Sequence, residues 1–137
     1  MKFINALVLF VARVCIAAVF IWGASGKVFA YDMNVQYMAS KGFTMIPFFL
    51  VSAAIVEFLG GLSLIFGYKS RLGALILLLF LIPTTIIFHD FWNLEAAKQL
   101  PEQVNFMKNL AIFGGLLYVL VFGTGCCNDK KDEVSAK

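Results

Sequence analysis

The stretch Ser52-Ala-Ala-Ile-Val-Glu57-Phe-Leu-Gly60-Gly61-Leu-Ser-Leu-Ile-Phe-Gly67 contains a single carboxylate within an uncharged, mostly apolar run. Glu57 lies about ten residues from either end of that run, which covers 47–67. An isolated charge at the centre of a bilayer costs at least about 2.5 kcal/mol. A chain that keeps an acid there must shield it from lipid, so this stretch predicts a membrane helix whose acidic face is turned towards other helices.

The composition agrees with a membrane protein. Hydrophobic residues make up 61% of the 137 residues and charged residues only 14%, whereas soluble domains are about 45–50% apolar. A soluble protein of this size could not hide so much apolar surface from water. The net charge is +3 and the basic residues are dispersed, without a basic stretch interleaved with aromatics, which excludes nucleic acid as an expected partner.

Four segments are long enough to cross a bilayer, which takes about 20 apolar residues. They lie at about 3–30, 47–67, 72–91 and 102–124. These segments predict an all-α fold, an integral membrane four-helix bundle over residues 1–125, followed by a charged cytoplasmic tail at 126–137. The first segment could alternatively be a cleaved signal peptide, but an arginine inside it and the lack of a clear A-x-A site favour a retained helix.

The connections predict short interfacial helices in the two longer, outer loops. In the loop before the second segment, Asp32 is a suitable N-cap and Gly42 a suitable C-cap. The loop at 93–100 is similar, and Pro101 followed by Glu102 predicts the start of the fourth helix. By contrast, the second and third segments are joined by a tight link at 68–71.

Four spans place both termini on one side of the membrane, and the distribution of basic residues selects that side. The end with the termini carries Lys2, Lys69, Arg71, Lys130, Lys131 and Lys137, whereas the other end carries Lys27, Lys41, Lys98 and Lys108 with more acids nearby. The positive-inside rule then predicts cytoplasmic termini. We therefore expect a multi-pass protein of the inner (plasma) membrane.

Arg13 in the first segment is the predicted partner of Glu57. Each lies about ten residues from the end at which its helix enters the membrane, or about 15 Å along a helix, near the middle of a core about 30 Å thick. A guanidinium can bind a carboxylate through two hydrogen bonds. Two interpretations stay open: an ion pair that only sets helix registry, or one with an added proton or ligand role.

Small residues on the Glu57 face predict close helix packing. Ala53, Gly60 and Gly61 lie three or four residues from Glu57, on the same side of a helix, and small side chains let a second helix approach. Gly114-Gly115 in the fourth segment repeats the Gly60-Gly61 pair. The repeat reflects either an internal duplication or two independent packing sites.

A second polar group is expected in the outer half of the bundle, formed by Lys27, His89, Lys108 and Asn109. A polar pocket in an apolar wall would suit a quinone, whose carbonyls accept hydrogen bonds. The alternative is that His89 only ends the third helix at the headgroups while Lys108 snorkels. A lone histidine cannot provide bis-His haem ligation and the carboxylates are too scattered for a di-iron site. We therefore expect no metal, haem or flavin.

The cysteines add little. Cys15 lies in mid-helix and is expected to be a small buried residue. Cys126-Cys127 follows the fourth segment and would stay reduced in the cytoplasm. A soft-metal or redox role and a plain pair of thiols at the membrane edge are both open, and no C-x-x-C or zinc spacing occurs.

A series of motifs follows the chain in order: Arg13, Gly26-Lys27, Gly42, Pro47, Glu57-x-x-Gly60-Gly61, Gly67, Arg71, Thr85-x-x-x-His89 and Lys108-Asn109-x-Ala111-x-x-Gly114-Gly115-Leu116. Their order and spacing, over about residues 8–122, resemble the DoxX family of bacterial and archaeal membrane proteins. The resemblance implies a four-helix membrane protein. It also implies a link to quinone-dependent oxidoreductase complexes or to membrane thiol and oxidative-stress systems.

Three functions from different classes are therefore expected. The first is a small inner-membrane subunit or accessory of a redox system, interacting with quinone. The second is a transporter or permeability protein for protons or a small solute, in which Glu57 titrates. The third is a structural subunit that stabilises a partner membrane enzyme. Besides the lipid bilayer, the expected partners are other membrane or redox subunits or further copies of the chain.

Overall fold

The computed structural model describes residues 2–124, with side chains from residue 4 onwards. The predicted tail at 126–137 and the Cys126-Cys127 pair lie outside the described residues. The described chain consists of α1 (Lys2–Phe29), α2 (Tyr31–Ser40), α3 (Ile46–Phe66), α4 (Ser70–Phe88), a 3₁₀ turn (Phe91–Asn93) and α5 (Ala96–Phe122).

The predicted all-α membrane bundle is confirmed. Four helices, α1, α3, α4 and α5, are long and apolar enough to span a membrane. They alternate in direction, so one end of the bundle carries α2 and the 3₁₀ turn, and we call it the loop end. The opposite end, called the terminal end, carries the start of α1, the link at 67–69 and the end of α5.

The spanning helices pack mainly in chain order, α1 against α3, α3 against α4, and α4 against α5. Their shared core contains Ala17, Leu64, Leu77 and Leu116, none of which has any exposed surface. Large apolar side chains such as Phe29 and Trp22 remain exposed on the outside. In a bilayer these outward residues contact acyl chains, because lipid rather than water surrounds the helices.

The boundaries of α3 follow from local chemistry. Pro47 lies in the first turn of the helix, where a backbone N–H has no acceptor within the helix, so the N–H that proline lacks costs no hydrogen bond. The helix ends at Gly67, whose φ of 66° is left-handed and is easily adopted only by glycine. The predicted segment 47–67 and the observed helix Ile46–Phe66 differ by one residue at each end.

The two outer loops differ from each other, and the second differs from the prediction. The first contains the expected short helix, α2, whereas the second contains only the 3₁₀ turn before α5 begins at Ala96. Pro101 therefore lies inside α5 and does not start it. The helix begins earlier because Glu95 has an extended conformation and its carbonyl accepts a hydrogen bond from the Lys98 N–H at 2.8 Å.

Three of the four predicted packing glycines lie against a neighbouring helix. A Cβ at Gly60 would lie 2.6 Å from Leu77, one at Gly61 would lie 2.8 Å from Ile21, and one at Gly115 would lie 3.2 Å from Ile16. A Cβ at Gly114 would meet no atom of the described chain within 4 Å, so the packing role predicted for Gly114 is wrong. Adjacent helical residues point about 100° apart, and only Gly115 faces α1.

Candidate functional site

The Glu57 carboxylate is buried and forms an ion pair with Lys27. The Lys27 ammonium donates to Glu57 Oε2 at 2.7 Å and, at a longer 3.4 Å, to the Gly23 carbonyl. Their side chains are 20% and 9% exposed, respectively. The pair joins α1 to α3 within the loop-end half of the bundle.

This pairing corrects the predicted partner of Glu57, which was Arg13. In a helix the Cα–Cβ bond tilts towards the N-terminus. In α3 that direction leads from Glu57 towards the loop end, where Lys27 lies. In α1 the same tilt directs the side chains of both Arg13 and Lys27 towards the terminal end, which for Lys27 means back into the bundle. The two antiparallel helices therefore bring Lys27 and Glu57 together and keep Arg13 away from Glu57.

The contacts between α1 and α3 establish how far Arg13 lies from the pair. Gly61 lies beside Ala17, since a Cβ there would be 3.5 Å from the Ala17 carbonyl. Arg13 lies one turn before Ala17 in α1, and Ile65 lies one turn after Gly61 in α3. Because the two helices are antiparallel, Arg13 lies level with about Ile65, near the end of α3. The buried Arg13 guanidinium lies 5.5 Å from the centre of the Phe10 ring, at the terminal end of the bundle.

Gly23 makes the Lys27–Glu57 contact sterically feasible. A Cβ at Gly23 would lie 3.1 Å from Glu57 Oε1 and 3.3 Å from its carboxyl carbon. Because glycine has no side chain here, the carboxylate rests directly on the backbone of α1, one turn below Lys27. The motif that positions the acid is therefore Gly23-x-x-x-Lys27 in α1 opposite Glu57 in α3.

A cavity of about 400 Å³ opens beside this ion pair, and we call it the loop-end cavity. It is bounded by α2, α3, α4 and the Lys27 side chain. Its walls are mainly aromatic and aliphatic, and they comprise Lys27, Asn34, Tyr37, Met38, Phe43, Phe49, Leu50, Ala53, Phe80, Pro83, Thr84, Ile87, Phe88 and His89. Its size and its few polar groups are typical of sites for small organic ligands.

Polar contacts hold α2 and the end of α4 around this cavity. The Tyr37 hydroxyl donates to the Phe88 carbonyl at 2.9 Å, and the Asn34 amide donates to the carbonyls of Gly26 and Ala30 at 3.1 and 2.8 Å. Burial, followed by the negative charge of Glu102, raises the pKa of Tyr37 above its ordinary value. Tyr37 therefore stays a neutral donor at physiological pH.

A hydrogen bond and an ion pair connect the helices around the cavity. His89 Nδ1 is 2.7 Å from Glu102 Oε2, which ties the end of α4 to α5. Lys41 pairs with Asp90, which ties the end of α2 to the residues after α4. His89 also lines the cavity, so the structure brings together Lys27 and His89 of the four residues predicted to converge.

Lys108 and Asn109 do not belong to this cavity, which corrects the predicted group. Lys108 is exposed and donates to Asn105 Oδ1 at 3.1 Å. Asn109 is buried and donates to Thr85 Oγ1 at 3.0 Å. Both lie on α5, and the packing order places α4 between α5 and the cavity, so neither side chain can reach it.

Sequence reasoning missed the contribution of α2 and the turn after it. Asn34, Tyr37 and Phe43 line the cavity, although this stretch was considered only as an interfacial helix. Phe43 stacks on Phe88 with ring centres 5.6 Å apart and an interplanar angle of 13°. The high share of aromatic residues at 31–49 was the available signal, since a purely interfacial helix does not need aromatics on its inward face.

The sequence matches known membrane proteins across most of its length. The profile of the DoxX family matches residues 8–90. Inner membrane protein YqjF of Escherichia coli K12 is 35% identical over 129 residues, covering 91% of each chain. Inner membrane protein YphA of the same organism is 29% identical over 117 residues, covering 85% of this chain and 84% of that protein. No solved structure matches the chain. Four membrane-spanning helices and these matches lead to one conclusion: the chain belongs to the DoxX family.

Proposed function

We propose that this protein binds the ring of a quinone in the loop-end cavity and acts as a quinone-interacting subunit of a membrane redox system. The observation that carries the proposal is a Lys27 ammonium, held in place by Glu57, at the wall of a mainly apolar cavity. A cation fixed by a buried carboxylate is a preorganised donor for a ligand oxygen in surroundings of low dielectric constant.

The donors of Lys27 fit a carbonyl ligand. An ammonium group has three N–H bonds, and within the described chain two of them are directed to Glu57 and the Gly23 carbonyl. The third is available to a quinone carbonyl. His89 offers a second polar group at the cavity wall, because its contact with Glu102 within the described chain involves Nδ1 and not Nε2.

The aromatic walls fit a flat ring. Phe43 stacks on Phe88, and Phe49 meets Phe43 edge-on with ring centres 5.5 Å apart and an interplanar angle of 79°. Aromatic groups prefer such offset-stacked and edge-to-face arrangements, so a quinone ring inserted beside Phe43 extends a pattern that already exists. Quinones partition into bilayers, and the spanning helices place the cavity within reach of the membrane.

Transport of protons or a small solute is the alternative, and the packing at the terminal end favours binding over transport. Below the Lys27–Glu57 pair, Ala17, Leu64, Leu77 and Leu116 form a core with no exposed surface. A permeation path would have to cross this dry layer. We therefore expect liposomes containing the protein to show no pH-dependent proton flux above protein-free vesicles. A flux that disappears in Glu57→Gln would instead support transport.

The quinone proposal is tested by direct binding. The protein, purified in mild detergent, is extracted and analysed for co-purifying quinone, and a benzoquinone with one isoprenoid unit is then titrated by quenching of intrinsic fluorescence. We expect binding to weaken at least about tenfold in Ala53→Leu, which fills the cavity, and to weaken in His89→Ala. Lys108→Met, on the exposed face of α5, is the control and should bind like the native protein.

Two results would reject the proposal. One is a native protein that neither retains nor binds quinone. The other is quinone binding that Ala53→Leu and His89→Ala leave unchanged, since binding elsewhere on the surface would behave in this way. Thermal unfolding of each variant in the same detergent shows whether a loss of binding reflects a loss of fold.

A further inference from the structure

A second apolar cavity lies on the lipid-facing side of the ion pair. It has a volume of about 660 Å³ and lies between α1 and α3 near the loop end. We call it the lateral groove. Residues from both helices line it, including Ala24, Val28, Ala54, Ile55 and Phe58. Val28, Ile55 and Phe58 are exposed at its rim, so the groove is open towards the acyl chains of the bilayer.

The lateral groove and the loop-end cavity share two wall residues, Lys27 and Leu50. Leu50 is 2% exposed and belongs to a small cluster with Met38 and Ile46. The Lys27 ammonium is held by Glu57, while its methylene stem provides an apolar surface. Lys27 and Leu50 therefore separate a ring-sized cavity with polar groups from a larger, mainly apolar groove.

We propose that the lateral groove holds the first isoprenoid units of the same quinone, and that the ligand enters from the bilayer between α1 and α3. This inference rests on the proposed function, because it assigns the tail of the ligand whose ring occupies the loop-end cavity. In an amphiphile of this kind, the polar ring matches the loop-end cavity and the apolar tail matches the lateral groove. The ring reaches the ammonium of Lys27, and the tail passes along its stem into the groove.

Two adjacent alanines of α3 allow a matched test. Of these two cavities, Ala53 lines the loop-end cavity and Ala54 lines the lateral groove. Each is replaced by leucine, and the protein is reconstituted into lipid nanodiscs. Two probes are titrated: a tail-less benzoquinone, and the same ring carrying four isoprenoid units. Each affinity is expressed relative to that of the native protein for the same probe, so that partitioning of the probe into lipid cancels.

We expect Ala54→Leu to bind the tail-less probe normally and to bind the long-tailed probe roughly tenfold or more weakly, the scale of losing contacts for a few methylene groups. Ala53→Leu should weaken both probes alike. The inference is overturned if Ala54→Leu binds the long-tailed probe like the native protein, because the groove would then hold ordinary acyl chains. Failure of the native protein to bind either probe would instead reject the proposed function itself.

A second measurement covers the case in which Ala54→Leu is poorly folded. A cysteine is introduced as Ala54→Cys in a background in which Cys15, Cys126 and Cys127 are all replaced by serine, and it is reacted with a membrane-permeable maleimide. The long-tailed quinone should slow this reaction several-fold and the tail-less quinone should not. Equal protection by both probes, or by neither, contradicts the placement of the tail.

Discussion

Lys27 contacts Glu57 by extending back along its own helix, over Gly23, to a carboxylate on the neighbouring antiparallel helix. A lysine two residues before the end of a membrane helix usually extends towards the headgroups. Here the opposite direction is taken because a buried acid lies one turn below. The contact links α1 to α3 and provides one wall of both cavities, so the geometry of the candidate site depends on it.

The first prediction concerns the stability of this ion pair. Lys27→Met leaves an uncompensated buried carboxylate, and removing one partner of a buried pair typically costs about 3–5 kcal/mol. We expect a clear fall in the thermal unfolding temperature in detergent, with Lys108→Met, at an exposed position, as the control. The double variant Lys27→Met/Glu57→Leu should recover most of the loss. A single variant as stable as the native protein would show that the pair is not formed.

The second prediction concerns the space left by Gly23. In Gly23→Ala the new methyl would lie 3.1–3.3 Å from three atoms of the Glu57 carboxyl group, so the ion pair must shift. Overpacking of this kind costs about 1–3 kcal/mol. Gly26→Ala is the control, because a Cβ there meets nothing within 4 Å in the described structure. Equal unfolding temperatures for the two variants would contradict the position of Glu57.

The third prediction separates packing glycines from exposed ones. Gly60→Ala places a Cβ 2.6 Å from Leu77, which is completely buried and has little room to move. Gly114→Ala meets no described atom within 4 Å and should be neutral or slightly stabilising, because alanine favours helix formation. Thermal unfolding should therefore rank Gly60→Ala well below Gly114→Ala. The reverse order would show that α5 uses Gly114 as a contact.

The fourth prediction tests the structural role of Asn109. Its amide donates to Thr85 Oγ1 at 3.0 Å, and both residues are buried between α4 and α5. Interhelical hydrogen bonds in membranes contribute about 0.6 kcal/mol on average and up to about 1.7. Asn109→Leu should lower stability by about this amount and leave quinone affinity unchanged. A large loss of quinone affinity in a variant of nearly native stability would return Asn109 to the binding site.

The fifth prediction concerns alkaline pH. Burial and the charge of Glu102 raise the pKa of Tyr37, whereas an unfolded tyrosine ionises near 10. The stabilisation from neutral Tyr37 is fully present below pH 10 and is lost as pH rises through the folded pKa. Subtracting the tyrosinate absorbance of Tyr37→Phe from that of the native protein isolates this titration. Its midpoint should lie above 10 and should fall in Glu102→Gln. A midpoint at or below 10 would contradict the partial desolvation of Tyr37 and its proximity to Glu102.

Local patterns predicted the helices well where apolar length decides the outcome. The segments 3–30 and 47–67 agree with α1 and α3 to within one residue at each end, because hydrophobic length and a terminal glycine are properties of the chain itself. The predicted start of α5 at Pro101 was wrong. The helix begins after Glu95, which has an extended conformation, and Pro101 is accommodated inside it. Of the residues predicted to converge, Lys27 and His89 line one cavity, whereas Lys108 and Asn109 lie away from it.

The sequence by itself determined that the protein crosses a membrane four times, that Glu57 must be shielded, and that small residues surround it. It did so because transfer of apolar and charged groups between water and lipid depends on composition and spacing alone. Only the tertiary structure decided that Glu57 pairs with Lys27 and not with Arg13. It also decided that α2 forms one wall of the loop-end cavity and that α4 lies between this cavity and α5. These outcomes depend on the direction of each side chain and the packing order of the helices, which depth along a helix does not specify.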